Sequence, residues 1–102
     1  MPLLHIAFEE GFYDDTVVVR VNDQEVYRKP NVKTELQIGY ADSCEVDVRE
    51  DAIEVEVVLP LRSLSKSIPV VFRGSAPVYL GLSITPEGGI SERVSGAPFG
   101  YL

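Results

Sequence analysis

Apolar residues recur at every second position along most of this chain, a period that predicts strands rather than helices. Leu4, Ile6 and Phe8 share one face of a first strand; Val17, Val19 and Val21 share a face of a second, with Arg20 opposite. Leu36, Ile38 and Tyr40 repeat the pattern, as do Cys44, Val46 and Val48, and then Ile53, Val55, Val57 and Leu59. Ile68, Val70 and Phe72 form another inward set, followed by Val78, Leu80, Leu82 and Ile84, and Ile90 with Val94 predicts a short last strand. β-Branched side chains, which suit a pleated and half-buried surface, dominate these runs.

Turn-forming residues punctuate the pattern at Glu10-Gly11, Asn22-Asp23, Lys29-Pro30-Asn31, Gly74 to Pro77 and Pro86 to Gly89. About eight short strands at this spacing predict an all-β fold, an antiparallel β-sandwich of Greek-key or jelly-roll type. Leu61 to Lys66 reads as one helical turn or an irregular crossover between sheets. With 102 residues and neither linker nor repeat, one domain over 1–102 is expected.

Two hairpins can be built in register. In the first, a turn at Asp23-Gln24 sets Val21 opposite Val26 and Arg20 opposite Tyr27, allowing a cation–π contact. In the second, a turn at Glu50-Asp51 pairs Val48 with Ile53, Val46 with Val55 and Cys44 with Val57. The opposite face of that hairpin then sets Asp47 across from Glu54 and Glu45 across from Glu56. Like charges directly opposite one another destabilise a ladder by a few tenths of a kcal/mol or more. Such a patch serves either as a solvated face that discourages edge-to-edge aggregation or as a docking surface for a basic partner. Calcium would need six to eight converging oxygens, so a cation site there requires help from loops.

The charge balance sharpens this expectation. The net charge is −7, which argues against nucleic acid, whose phosphates need a basic footprint, and against anionic membranes. Residues 1–56 carry 14 of the 16 acids and five of the nine Lys/Arg, a net of −9, while residues 57–102 carry +2. The segment Glu9 to Asp15 interleaves Phe12 and Tyr13 with acids. Phe12, Tyr13, Asp14 and Asp15 can form a binding platform there, or one aromatic can plug the end of the sandwich while the acids solvate the turn.

Catalytic constellations are poorly supported. His5 is the one histidine and lies out of phase with Leu4 and Ile6, whereas Cys44 lies in phase with Val46 and Val48, so the two point in opposite directions. One cysteine allows no intrachain disulfide, and neither a G-x-S-x-G elbow nor a phosphate loop occurs. No signal-peptide pattern opens the chain, so a cytoplasmic location is expected. The apolar segment Gly96 to Leu102 is expected to pack back on the domain, or to seat in another subunit or a peptide groove.

The stretch Val17 to Tyr27, with Asn22-Asp23 at its turn, resembles a hairpin common in sandwich-type accessory and carbohydrate-binding modules, with Asp23 where that hairpin has Gly. Three functions are weighed, of which a small enzyme is the least favoured by the residues. The first is a non-enzymatic interaction module using Glu45, Asp47, Glu54 and Glu56 or the Phe12–Asp15 loop. The second is a calcium-assisted carbohydrate-binding module. Self-association through an edge strand or the C-terminal tail is a further expectation.

Overall fold

The computed structural model describes residues 2–100, and the chain forms an eight-stranded β-sandwich. The strands are β1 (Leu3–Phe8), β2 (Asp15–Val21), β3 (Gln24–Val32), β4 (Asp42–Asp47), β5 (Ala52–Leu59), β6 (Leu64–Val71), β7 (Val78–Ile84) and β8 (Ile90–Ser95), with a single 3₁₀ turn at Pro60–Arg62. A front sheet has the order β4-β1-β7-β8 and a back sheet the order β3-β2-β5-β6. All pairings are antiparallel except β1 with β7, which run parallel in the centre of the front sheet.

Most residues that the alternation marked as inward form the core, joined by Phe12 and Val32, whereas Leu36 and Val94 are exposed. Leu4, Ile6, Phe8, Val17, Val19, Val55, Val57, Leu59, Ile68, Leu80 and Leu82 are all at most 1% exposed. Full burial of one such side chain contributes roughly 1.5–3 kcal/mol. Phe12 closes the top end, its ring edge-on to Phe8 at 5.9 Å.

The two open sides of the sandwich are closed by charge. On one side the Tyr27 hydroxyl and Lys29 Nζ both donate to Asp42 Oδ2, at 2.7 and 2.8 Å. On the other, Lys66 of β6 reaches the backbone carbonyl of Ile90 at 3.1 Å and pairs with Glu92 of β8. Burial pushes the Asp42 carboxyl up, but the hydrogen bonds from Lys29, Tyr27 and the Ser43 amide outweigh it and hold Asp42 below the usual range. These partners sit at inward phases on edge strands, where an apolar residue would be half exposed.

Three expectations are corrected. Leu36, Ile38 and Tyr40 do not form a strand: Glu35 and Tyr40 bridge a tight turn, Gly39 adopts φ +66°, and Leu36 is 92% exposed. The first hairpin turns at Asn22-Asp23 (φ +49° and +68°), a conformation that Asn and Asp tolerate. Val21 therefore meets Gln24, and a bulge at Val26 re-phases the strand so that Val19 meets Tyr27. Tyr27 turns inward onto Phe8, with ring centroids 5.0 Å apart, while Arg20 pairs with Glu56 at 2.9 Å instead of with Tyr27.

The third correction concerns β4 and β5, which form no hairpin. β4 pairs with β1 in the front sheet, and β5 pairs with β2 and β6 in the back sheet. The connection is an arch. Val48 stays with the front sheet, its N–H donating to the Pro2 carbonyl, and the chain then crosses over. The apolar residues of β4 and β5 thus line the two walls of one core, and their polar residues point to opposite exteriors. Glu45 and Asp47 lie outside the front sheet, and Glu54 and Glu56 outside the back sheet, so the four carboxylates share no face.

Edge pairing is blocked on β6. Glu54 uses both its backbone N–H and its carbonyl on Asn22, so its β6 neighbour Pro69 turns its nitrogen outward, to the open edge. Proline has no hydrogen to offer there.

Candidate functional site

The two exteriors differ. On the front sheet the register aligns Ser43, Ala7, Gly81 and Arg93 across four strands, so small side chains floor the centre of the face. The 35–40 turn rises on one side, and the segment following β8 runs up over the face on the other. Two clefts result. One, of about 400 Å³, is lined by Glu9, Glu10, Gly39, Ser83 and Arg93. The other, of about 370 Å³, is lined by His5, Tyr40, Glu45, Tyr79 and Phe99. The first has a mainly polar lining, the second a mainly apolar one.

In the lower cleft the His5 ring stacks on Tyr79, centroids 4.4 Å apart and planes within 10°. His5 Nδ1 lies 3.1 Å from Glu45 Oε2, and the Tyr40 hydroxyl donates to Ser43 Oγ at 2.9 Å. The parallel β1–β7 pairing puts His5 beside Tyr79.

In the upper cleft Glu9 continues the outward phase of β1, yet its side chain is only 7% exposed. It accepts Arg93 Nε and a terminal Arg93 nitrogen at 3.1 and 2.5 Å. A Cβ on Gly81 would stand 2.6 Å from Glu9 Oε1, so glycine makes the room for this carboxylate. The Phe99 ring lies on the Arg93 guanidinium, 3.9 Å from its centre, a cation–π contact. The self-packing expected of the 96–102 segment is met by the half-buried Phe99 on Arg93, whereas Pro98 is exposed and Tyr101 and Leu102 lie outside the described residues.

The 9–15 segment is built differently from the expected platform. Thr34 clamps it, accepting the Phe12 N–H at 3.1 Å and donating its hydroxyl to the Glu9 carbonyl at 2.6 Å. Phe12 is core. Asp15 is buried and receives Arg62 Nε at 2.7 Å, a second Arg62 nitrogen at 3.0 Å and the Tyr13 N–H at 2.8 Å. Burial raises its pKa, but these donors, Arg62 foremost, outweigh burial and hold it below the usual carboxylate range. Asp15 therefore anchors the loop instead of solvating it. Tyr13 and Asp14 remain outside, with Lys33 Nζ 5.3 Å from the Tyr13 ring.

Of the expected acidic residues, Glu45 and Asp47 flank the front face; Glu54 and Glu56 do not. Among the described residues no three His, Cys, Asp or Glu side chains converge as a metal would require. Cys44 faces the core side, and burial, with Asp42 and Glu45 nearby, pushes its thiol up to about 12. Sequence reasoning had Glu9 only as the start of the 9–15 loop and missed Tyr79, Gly81 and Arg93. Glu9 alone carried a local signal, its outward phase; Arg93 stands 84 residues from it.

No family model, curated protein or solved structure matches the chain. No helix among the described residues is long and apolar enough to cross a membrane.

Proposed function

We propose that this chain is a non-enzymatic interaction module that docks an extended, basic segment of a protein partner along the outer face of the front sheet. The observation that carries this reading is the imbalance of charge on a walled, concave face. Glu45 and Asp47 point outward there and Glu10 lines the upper cleft, whereas Arg93, already paired with Glu9, is the one cation projecting from those strands among the described residues. A negative cleft with low-dielectric walls concentrates cationic ligands and speeds their encounter. The back sheet lacks this asymmetry at its centre, where Arg20 answers Glu56.

The test is titration of isotopically labelled protein with three synthetic peptides: basic with one phenylalanine, acidic with one phenylalanine, and uncharged. The basic peptide should shift the amides of His5, Ala7, Ser43 and Tyr79 and lose affinity as salt rises. Equal binding of the acidic peptide, or shifts confined to the back sheet, would remove the reading.

A further inference from the structure

We infer that the Arg93–Glu9 platform is the subsite for an aromatic side chain of the partner segment, and that the chain's own Phe99 fills this subsite until the partner displaces it. The inference rests on the docking reading above and names the anchor that a basic peptide would need.

Four observations converge on this spot. The guanidinium of Arg93 is held along one edge by two hydrogen bonds from its Nε and a terminal nitrogen to the Glu9 carboxylate. That carboxylate is itself fixed, because Gly81 leaves a hole that only an absent Cβ allows. The bonds to Glu9 lie in the guanidinium plane, and the Phe99 ring stands over its central carbon at 3.9 Å. A guanidinium pinned edge-on by a carboxylate keeps its face for a π system, and an aromatic ring is the group that face accepts best. Finally, among the described residues the segment that delivers Phe99 shows one hydrogen bond of its own. The Ala97 N–H donates to Ser95 Oγ at 3.0 Å, while Gly96 and Gly100 flank the ring and meet no neighbour that would confine a side chain.

The chemistry selects the occupant. The ring of Phe99 brings no positive charge to a face that carries Glu10, Glu45 and Asp47. A partner peptide with an aromatic residue flanked by Lys or Arg makes the same ring contact and adds the ion pairs that Phe99 cannot. Its advantage over the resident ring is therefore electrostatic, and it is set by salt.

The cost of displacement is a population term. If the docked state of Phe99 is favoured about tenfold over the open one, the apparent affinity of any competitor for the subsite falls by about the same factor. Phe99→Ala in the full chain should thus raise affinity for the basic phenylalanine peptide on the order of tenfold. A basic peptide lacking the aromatic residue should gain far less.

The direct test uses the full-length protein with 4-fluorophenylalanine at position 99, read by fluorine NMR. Without peptide, the resonance should be displaced from its value in urea. Saturation with the basic phenylalanine peptide should move it to the urea value. Peptide binding on the front face with the fluorine signal unmoved, and with Phe99→Ala without effect, would overturn the subsite while leaving the docking reading intact. A fluorine signal at the urea value before any addition would overturn it outright. Failure of every peptide to shift the front face in both the parent and Phe99→Ala would overturn both readings together.

Discussion

Replacing Arg62 by Met isolates one buried ion pair and asks how much of the top of the sandwich depends on it. The Asp15 side chain is 4% exposed and that of Arg62 35%. Met keeps most of the stem that Arg62 lays over the loop but removes both donors, leaving the Asp15 carboxylate with the Tyr13 N–H alone. Removing one partner of a fully buried pair costs about 3–5 kcal/mol; with Arg62 a third exposed, water reaches the vacated position, and we expect about 2–3 kcal/mol. With a urea m-value of about 1–1.5 kcal/mol/M for a chain this small, the midpoint should fall by about 2 M. The melting temperature should fall by roughly 10–20 °C.

The pH dependence is a sharper check, because it follows the carboxylate and not the packing. Asp15 is depressed in the folded state, so its contribution is fully present above the unfolded value near 3.9 and is lost as pH falls through the lower folded value. Urea melts of the parent and Arg62→Met should therefore differ widely at pH 6–7, and the difference should shrink as pH falls below the unfolded value near 3.9. Adding Asp15→Asn to Arg62→Met should recover part of the loss at pH 7, since the amide carries no charge to strand. A loss below about 0.5 kcal/mol at pH 7, or an equal loss at pH 2.5 and pH 7, would refute the assignment of Asp15–Arg62 as the anchor of this loop.

Other expectations follow from the same contacts. Gly11 and Gly88 share φ values of +90° and +89°, but a Cβ on Gly11 would stand 2.2 Å from the Ile84 carbonyl oxygen whereas Gly88 has open space. Gly88→Ala should cost about 1–2 kcal/mol from backbone strain alone, and Gly11→Ala at least about 2 kcal/mol more, both read by urea melts. Asp23→Gly should stabilise by about 0.5–1 kcal/mol, raising the thermal midpoint, because the second turn position holds φ +68°. Asp42→Asn should destabilise at neutral pH and the effect should fade on acidification, since Asp42 is also held below its ordinary value. With its thiol pushed up to about 12, Cys44 should react with a disulfide reagent at pH 8 about a thousandfold slower than a free cysteine, and at the free rate in urea.

The local alternation of this chain determined which residues are inward, where most strands lie and that they stack in two layers, because side-chain direction reverses with every residue of a strand. Leu4, Val19, Val55 and Leu80 are buried for that reason alone, and the outward phase of His5, Glu45 and Glu9 was legible in the same way. Alternation is blind to partners. The run from Cys44 to Leu59 fits a hairpin and an arch equally well, and only the pairing of Val48 with the front sheet decided for the arch. That choice moved Glu54 and Glu56 to the far side of the molecule and dispersed the expected acidic patch. Period-two spacing at Leu36, Ile38 and Tyr40 likewise meant nothing without a neighbouring strand to pair with. The candidate site is the extreme case: β1, β7, β8 and the segment after β8 meet there, Glu9 finds Arg93 across 84 positions, and Gly81 matters only through what it leaves empty. Such a site has no local spacing to betray it, so only the packed sheet could reveal it.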